Sequence, residues 1–298
     1  MRLQAEDVVT VGYLGCVALL VAIFHERVEG AWFHLTVHIL WIASVLALVW
    51  AAGRWPTRLF LHLRTWYHIL SIPLAFRELH YLVHPINPQD IDPVLVRWDW
   101  QIFGVHPTVW LERFMSPLLT EYLQLVYTTF YFLPLVLGFL LWRDKHWQGI
   151  RASLVGVVTA FYLSYLGYFA FPALGPRFEI AHLQTKPLEG LWLTPHIREI
   201  LDSLELIQRD AFPSGHVGVS VLVLYYAWKY CRRAFPGYLL IVSSMVMSTV
   251  YLRYHYVVDV LAGFLLSIVS GWVASRLRTF FPNEVHPWST NGHIQTKA

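Results

Sequence analysis

One segment of this chain combines the signature of a helix start with a histidine: Pro213-Ser214-Gly215-His216. Pro and Ser are typical of a helix start, where unpaired N–H groups and the helix dipole form a site for an anion. Glycine lets a ligand approach the backbone closely, and His216 lies in the first turn, where it could exchange a proton with that anion. A plain helix cap beside an interfacial histidine is the alternative for this segment taken alone.

A second pair of residues suits nucleophilic chemistry. His255 and Asp259 stand four positions apart and therefore share one helix face. A carboxylate bound to one imidazole nitrogen fixes the tautomer and leaves the other nitrogen as a nucleophile. Asp259 begins an apolar run, where an unpaired charge is costly and usually functional. A structural His–Asp pair and a metal site are the alternatives. Because metal-ligating residues are scattered, with no H-E-x-x-H and no cysteine cluster, no metal site is predicted.

Two arginines complete the set of candidate residues. Arg177 closes the segment 171–177 (FPALGPR), and Arg253 stands two residues before His255. A guanidinium suits the oxygens of a phosphoryl group because it can donate two parallel hydrogen bonds. Two arginines, two histidines and a helix start together predict a phosphoryl-transfer site.

The composition indicates what must position these residues. Of the 298 residues, 56% are hydrophobic and 14% are charged, and the mean hydropathy is +0.48. A soluble domain carries about 25% charged residues, so this chain has too little polar surface for a water-soluble globule. The same figures exclude a disordered chain, a collagen-like fibre and a disulfide scaffold. The net charge of +3, without a dense basic stripe, argues against nucleic acid as a partner.

Eight apolar runs of near-spanning length predict an all-α, polytopic membrane helix bundle with about six to eight transmembrane helices. The runs cover residues 8–24, 35–52, 66–84, 118–142, 150–171, 215–230, 237–254 and 257–275. The third run is the weakest, because Pro73, Arg77 and Glu78 interrupt it.

Short basic loops set the predicted orientation. Lys and Arg gather at 54–64, 143–151, 229–233 and 276–278, which fall on one side of an eight-span arrangement. The positive-inside rule makes that side cytoplasmic, together with both termini. The candidate residues then meet at the opposite face of the membrane. In a bacterium this is the periplasmic or extracellular face of the plasma or inner membrane, and in a eukaryote it is a lumenal face.

Two long segments, 84–117 and 172–213, lie on that non-cytoplasmic face. Both exceed ordinary connector length, and such segments tend to carry function. The first is predicted to be a lid or an acceptor site, with Asp99 as its chief candidate. Its tryptophans, among them Trp98 and Trp100, equally suit an interfacial helix.

The motifs resemble those of the type-2 phosphatidic acid phosphatase superfamily, which includes the vanadium haloperoxidases. That family carries Lys-x6-Arg-Pro, Pro-Ser-Gly-His and Ser-Arg-x5-His-x3-Asp. Here the second block is complete at 213–216, and the third keeps Ser248, His255 and Asp259 in register. Thr249 stands where the third block has its arginine. If the stretch is helical, Arg253 lies about one turn along the same face, near enough for its side chain to bridge the shift.

The first block is reduced to its arginine. Ala170 stands where the family has lysine and Phe178 where it has proline, so only Arg177 is carried over. The third block, Tyr254-His255-Tyr-Val-Val-Asp259, also resembles the His-His-Tyr-Phe-Val-Asp of the branch that contains fungal inositol phosphorylceramide synthase. The resemblance covers about residues 150–275.

The resemblance implies a mechanism. His255 attacks phosphorus to form a phosphohistidine, Asp259 orients its imidazole, and His216 acts as acid and then as base. The phosphoryl oxygens are held by Arg177, Arg253, Ser214 and the N–H of Gly215. No metal or organic cofactor is required.

The resemblance also implies a division of the chain. A six-helix phosphatase-like core lies within 118–283, after N-terminal membrane helices and a non-cytoplasmic interfacial segment at 1–117 and before a cytoplasmic tail at 284–298. The predicted function is an integral-membrane lipid phosphatase or phosphotransferase, with a phosphorylated lipid as substrate and membrane lipids around it. The alternatives are a head-group transferase of the inositol phosphorylceramide synthase type and a non-catalytic membrane protein that binds anionic lipid. The identity of the lipid and the oligomeric state stay open.

Overall fold

The computed structural model describes residues 2–204 and 207–281, and the regular structure within these ranges is helical throughout. The predicted all-α class is therefore confirmed, while the predicted tail at 284–298 lies outside the described residues. In chain order the helices are α1 (Ala5–Ile23), α2 (Ala31–Arg54), α3 (Arg58–Trp66), α4 (His68–Ile86), α5 (Asp92–Phe103), α6 (Pro107–Trp110), α7 (Pro117–Thr128), α8 (Leu133–Arg143), α9 (Trp147–Ala170), α10 (Pro176–Glu179), α11 (Leu193–Leu204), α12 (Gly215–Tyr230), α13 (Phe235–Tyr251) and α14 (Val257–Phe280).

Several of these helices fit an integral membrane protein. Within the described ranges, α1, α2, α9 and α14 are long and apolar enough to cross a membrane. Helices α7 and α8 pass the same test together, which makes a fifth candidate if this bent pair is one span. Helix α13 is apolar but has only 17 residues. The number of six to eight spans stays a prediction.

The candidate span at 118–142 is not a straight helix. It breaks between α7 and α8, whose axes differ by 57°. Pro134 has no N–H to donate to the preceding turn, which interrupts the hydrogen-bond ladder there. The hydroxyls of Thr128 and Thr129 donate to the carbonyls of Leu125 and Val126 at 2.7 and 2.6 Å, and such bonds bend helices. The run therefore forms two helices joined by a sharp bend.

Helices α9, α12 and α14 pack against one another in the middle of the bundle. A Cβ on Gly263 of α14 would lie 2.8 Å from the carbonyl oxygen of Ser214, which is closer than real Cβ atoms come to their neighbours. Only glycine therefore fits at this position. The close approach holds the start of α12 directly against α14.

The long segment between α9 and α12 is anchored by carboxylates from an earlier part of the chain. Glu112 accepts hydrogen bonds from the backbone N–H and the hydroxyl of Thr185 at 3.0 and 2.7 Å. Glu121 accepts three more at the start of α11, from the backbone N–H groups of Leu191, Leu193 and Thr194. Hydrogen bonds to a charged acceptor are about twice as strong as neutral ones. These bonds fix the course of the segment near the candidate residues.

Candidate active site

Backbone hydrogen bonds join the three motifs at one end of the bundle. The N–H of Ser214 donates to the carbonyl of Asp259 at 3.2 Å. The N–H of Arg177 donates to the carbonyl of Arg253 at 3.0 Å. Segments that are far apart in the sequence are therefore neighbours in space, as the predicted site requires.

Asp92, at the start of α5, ties two of these motifs together. It is fully buried and accepts hydrogen bonds from the N–H groups of Leu174 and Gly175, both at 2.8 Å. It also accepts from the hydroxyl of Tyr256 at 3.0 Å. One carboxylate thus holds the segment that follows α9 beside the loop that precedes α14.

Asp99, the predicted lid or acceptor residue, caps α14 in the structure. Its two oxygens accept hydrogen bonds from the N–H groups of Val257 and Val258, each at 3.0 Å. Burial raises the pKa of the Asp99 carboxyl above its ordinary value, and these two bonds only partly oppose that shift. A negative charge at this position also interacts favourably with the helix dipole. The structure therefore places Asp99 in a buried cap, and its role as a lid or acceptor residue stays a prediction.

His255 is buried, and its tautomer follows from its partner. Its Nδ1 lies 2.7 Å from the carbonyl oxygen of Ala211. A carbonyl oxygen can only accept, so Nδ1 carries the proton and Nε2 of the neutral ring bears the lone pair. Asp259 is the more distant partner, with its Oδ2 3.5 Å from the same Nδ1. Burial lowers the pKa of His255 to about 4, which keeps the ring neutral near neutral pH.

His216 lies in the first turn of α12, as predicted, with its ring 5.8 Å from that of His255, centroid to centroid. Its Nδ1 is 3.5 Å from the hydroxyl of Tyr127, at the long limit of a hydrogen bond. Its Nε2 is buried and has no hydrogen-bond partner among the described residues. A buried polar atom without a partner is uncommon in native proteins, and it marks this ring as one that could serve a ligand.

Ser214 and Gly215 form the start of α12. The hydroxyl oxygen of Ser214 accepts a hydrogen bond from the N–H of Val217 at 3.3 Å, as expected of a helix cap. A Cβ on Gly215 would lie 2.5 Å from the hydroxyl oxygen of Tyr168. A side chain here would displace the Tyr168 hydroxyl of α9, a close approach that the sequence did not reveal. Their roles toward phosphoryl oxygens stay predictions.

Arg253 does not continue the helix on which its expected position depended. Helix α13 ends at Tyr251, and Arg253 has a left-handed φ of +67°. Its guanidinium donates to a carboxylate oxygen of Glu112 at 2.8 Å and to the carbonyl of Lys186 at 2.6 Å. Both of these bonds come from Nη2, while Nε of Arg253 is buried without a hydrogen-bond partner among the described residues. Arg253 was expected one helical turn beyond Thr249 if the stretch were helical. The helix ends before Arg253, so this expectation is not met. A role at the phosphoryl oxygens stays a prediction.

Arg177 lies among aromatic rings. Its guanidinium carbon is 5.2 Å from the ring centroid of Tyr254 and 4.7 Å from that of Phe178. Guanidinium groups stack favourably on aromatic faces while their N–H groups point outward. This arrangement suits the predicted role of Arg177 toward phosphoryl oxygens, which stays a prediction. Within the described ranges, no group of three His, Cys, Asp or Glu side chains could hold a metal ion.

Comparison with known proteins shows to which family this chain belongs. Residues 94–273, more than half of the chain, match the profile of the PAP2 superfamily. The chain belongs to the PAP2 superfamily. A PA-phosphatase related-family protein of Dictyostelium discoideum is 27% identical over 205 residues, or 59% of this chain and 37% of that protein. The aligned part of the chain thus covers well under half the length of this relative. No solved structure matches it significantly.

The PAP2 match confirms the predicted superfamily and leaves two finer points as predictions. These are the resemblance to the inositol phosphorylceramide synthase branch and the boundary placed at residue 118. The match begins at residue 94, so α1 to α4 and Asp92 precede it. The carboxylate that ties two PAP2 motifs together is therefore supplied from outside the matched range.

Asp210 is an acidic neighbour of the PAP2 motifs that was not predicted from the sequence. Burial raises the pKa of its carboxyl above the ordinary value, although His255 and Arg177 oppose this shift. An acidic residue only three positions before Pro213 is a signal that could have indicated it. Tyr127, by contrast, stands in an aromatic and apolar run and gives no signal of its place beside His216.

Proposed function

We propose that this PAP2 protein is an integral-membrane lipid phosphatase or phosphotransferase that works through a phosphohistidine intermediate, without a metal or organic cofactor. The observation that carries the proposal is the pair of buried histidine rings 5.8 Å apart. His255 presents an Nε2 that bears a lone pair, and His216 has an Nε2 without a partner among the described residues. These are the two groups that a nucleophile and a proton donor require.

The proposed reaction has two steps. In the first, Nε2 of His255 bonds to phosphorus while the bond from phosphorus to the leaving oxygen breaks, and protonated His216 gives its proton to that oxygen. In the second, neutral His216 takes a proton from water or an alcohol. The oxygen of that acceptor bonds to phosphorus as the N–P bond breaks. Both histidines return to their starting states.

The surroundings of His255 suit this role. When Nε2 bonds to phosphorus, the imidazole gains positive charge, and its Nδ1–H remains directed at the carbonyl of Ala211, 2.7 Å away. Asp259 has an oxygen 3.5 Å from the same Nδ1. Groups that are already oriented toward a developing charge stabilise the transition state without reorganising. Arg177 is the proposed partner of the phosphoryl oxygens.

The proposed site faces the non-cytoplasmic side of the membrane, with both described ends of the chain on the cytoplasmic side. Helix α9 begins after Arg143 and Lys145 and ends at the candidate site, whereas α12 begins at the site and ends before Arg232 and Arg233. The basic loops and the histidines therefore lie at opposite ends of these helices. Basic loops favour the cytoplasmic side.

Head-group transfer is the second candidate function. The third block departs from the family pattern at Thr249, which is fully buried and donates its hydroxyl to the carbonyl of Val246 at 2.7 Å. The same departure is typical of the inositol phosphorylceramide synthase branch, which the block from Tyr254 to Asp259 resembles. In that case the acceptor in the second step is a lipid or polyol hydroxyl instead of water.

The test uses the purified full chain in detergent micelles with EDTA. The donors are phosphatidic acid, phosphatidylglycerol phosphate, undecaprenyl diphosphate and an inositol phospholipid, each with and without an alcohol acceptor. Release of inorganic phosphate supports the phosphatase, and head-group exchange without free phosphate supports the transferase. A requirement for added metal would contradict the metal-independent reaction. No product from any donor would favour the lipid-binding alternative.

Asp210→Asn is expected to move the acidic limb of the pH profile to lower pH. Burial lowers the pKa of His255 to about 4, and the negative charge of Asp210 opposes that lowering. His255 attacks only when neutral, so kcat/KM falls as the pH drops through its pKa. Without the charge of Asp210 the pKa falls further, and the neutral ring persists to more acidic pH. The measurement is kcat/KM for phosphate release across the acidic range.

Asp144→Asn is the matched control for this profile. Asp144 is exposed and pairs with Arg143 at 2.9 Å, between α8 and α9 and far from the histidines. This variant should leave the acidic limb in place. A limb that moves to higher pH in Asp210→Asn would show that the Asp210 carboxylate does not favour protonated His255.

A further inference from the structure

A stack of aromatic rings crosses the candidate site, and its central ring belongs to none of the three motifs. Tyr127, from the last turn of α7, lies between His216 and Tyr254. Its ring centroid is 4.5 Å from that of His216 and 4.4 Å from that of Tyr254, with interplanar angles of 28° and 16°. Both contacts are face to face. The guanidinium of Arg177 continues the stack on Tyr254.

A second aromatic ring from the same part of the chain also packs against His216. Phe130, just after α7, has its centroid 4.3 Å from that of His216. Tyr127 itself is almost completely buried, so it has little room to turn. Ring contacts of this kind restrict the tilt of an imidazole while they leave the nitrogens on its edge available for hydrogen bonding. The last turn of α7 and the short turn that follows it therefore hold the His216 ring.

We propose that Tyr127 is a positioning residue for phosphoryl transfer, which keeps the ring of His216 in a fixed plane relative to His255 and supports Arg177 through Tyr254. This inference rests on the proposed function. Proton transfer requires the donor within hydrogen-bond reach of the leaving oxygen, and a misplacement of about 1 Å can reduce the rate about 100-fold. Tyr127 touches two of the three motifs and thereby couples the position of the proton donor to that of the phosphate-binding arginine.

The ring of Tyr127, and not its hydroxyl, makes the main contact. The hydroxyl oxygen is 3.5 Å from Nδ1 of His216, which is long for a hydrogen bond, and the near-parallel rings leave it above the imidazole. A phenylalanine would keep the stack with both neighbours, whereas a leucine would remove it. The two substitutions therefore separate stacking from hydrogen bonding.

The experiment compares Tyr127→Phe and Tyr127→Leu with the wild type, with dioctanoyl phosphatidic acid in detergent micelles as the probe. Tyr127→Leu is expected to lower kcat by about 10- to 100-fold while KM changes less than about threefold, because the ring orients a catalytic group. Tyr127→Phe is expected to restore kcat to within about threefold of the wild type.

Tyr13→Leu is the matched control for loss of a buried, stacked tyrosine. Tyr13 is buried in α1 and stacks on Tyr162 of α9, with centroids 4.4 Å apart and an interplanar angle of 15°. Neither of these residues touches the candidate site. Tyr13→Leu should retain kcat even where its thermal midpoint falls as far as that of Tyr127→Leu. This comparison separates positioning from general stability.

Each outcome decides between defined alternatives. If Tyr127→Leu keeps the wild-type kcat, or if Tyr13→Leu loses as much, the positioning role is overturned while the proposed function stands. If Tyr127→Phe loses as much as Tyr127→Leu, the hydroxyl and not the stack acts on His216, and the proposal is overturned in this form. A wild-type protein that neither releases phosphate nor transfers a head group with any tested donor overturns the proposed function and the positioning role with it.

Discussion

His255→Ala is expected to abolish turnover and to leave no covalent phosphoenzyme. The variant loses Nε2 of His255, the proposed nucleophile, and a water molecule in its place would lack the same orientation. Removal of an enzyme nucleophile lowers kcat by factors on the order of 10⁴ or more. The measurement is incubation with phosphatidic acid labelled in its phosphate, followed by denaturation and a search for protein-bound label that is stable to alkali and labile to acid. The wild type should carry such label and His255→Ala none.

His196→Ala is the matched control for this substitution. His196 is a histidine of α11 whose Nδ1 lies 3.1 Å from the carbonyl of Trp192, with no part in the proposed chemistry. It should keep both the label and the turnover. Turnover or alkali-stable label that persists in His255→Ala would refute a phosphohistidine at this position. The proposed roles of His216 and Arg177 would then need a different nucleophile.

Asp92→Ala is expected to destabilise the protein and to reduce its activity together. The buried carboxylate accepts three hydrogen bonds, from Leu174, Gly175 and Tyr256. Its removal leaves three donors without an acceptor, and each buried, unpaired donor costs about 1–3 kcal/mol. A loss of roughly 3 kcal/mol or more is therefore expected in the free energy of unfolding. Because these bonds join two of the three motifs, the rate of phosphate release should fall as well.

Asp90→Ala supplies the comparison within the same segment. Asp90 pairs with Arg209 at 2.7 Å, but both side chains are 23% exposed. The two hydrogen bonds of this pair, at 2.7 and 3.0 Å, are partly open to solvent, which weakens ion pairs. Asp90→Ala should therefore lower the thermal midpoint in detergent less than Asp92→Ala. If the thermal midpoint falls equally in the Asp90 and Asp92 variants, the burial of the Asp92 carboxylate does not determine how strongly it stabilises the protein. If Asp92→Ala is as stable as the wild type but inactive, the hydrogen bonds of Asp92 position the site and do not stabilise the fold.

The sequence predicted the elements whose evidence is local. The apolar runs predicted helices. The spacing of His255 and Asp259 predicted that they share one helix face; the two side chains do approach to 3.5 Å, but His255 precedes α14 and does not lie in that helix. The helix start at Ser214 was also predicted from residue types within one turn. Such features depend on neighbours a few positions apart, which a single sequence displays directly.

The features that the sequence did not predict depend on distant partners. Arg253 lies 141 positions from Glu112, its partner in the structure, and no local pattern links the two. The carbonyl of Ala211, which accepts from His255 across 44 positions, is a backbone group that any residue could supply. The place of Tyr127 depends on how α7 packs after its bend. Tertiary packing, rather than residue type, decides each of these contacts.

The anchoring of the loops by carboxylates has a consequence for how a lipid would be recognised. Asp92, Asp99, Glu112 and Glu121 all accept hydrogen bonds from backbone N–H groups of the segments around the candidate site. These segments are therefore ordered before any ligand arrives. The free energy of binding does not have to offset the entropy that would be lost if they became ordered on binding. Such a site selects head groups by whether they fit a preformed, rigid entrance. It does not select them by whether they can induce the surrounding loops to close. Variants that remove these hydrogen bonds to the carboxylates should accordingly broaden the range of lipids accepted and slow the reaction with each one.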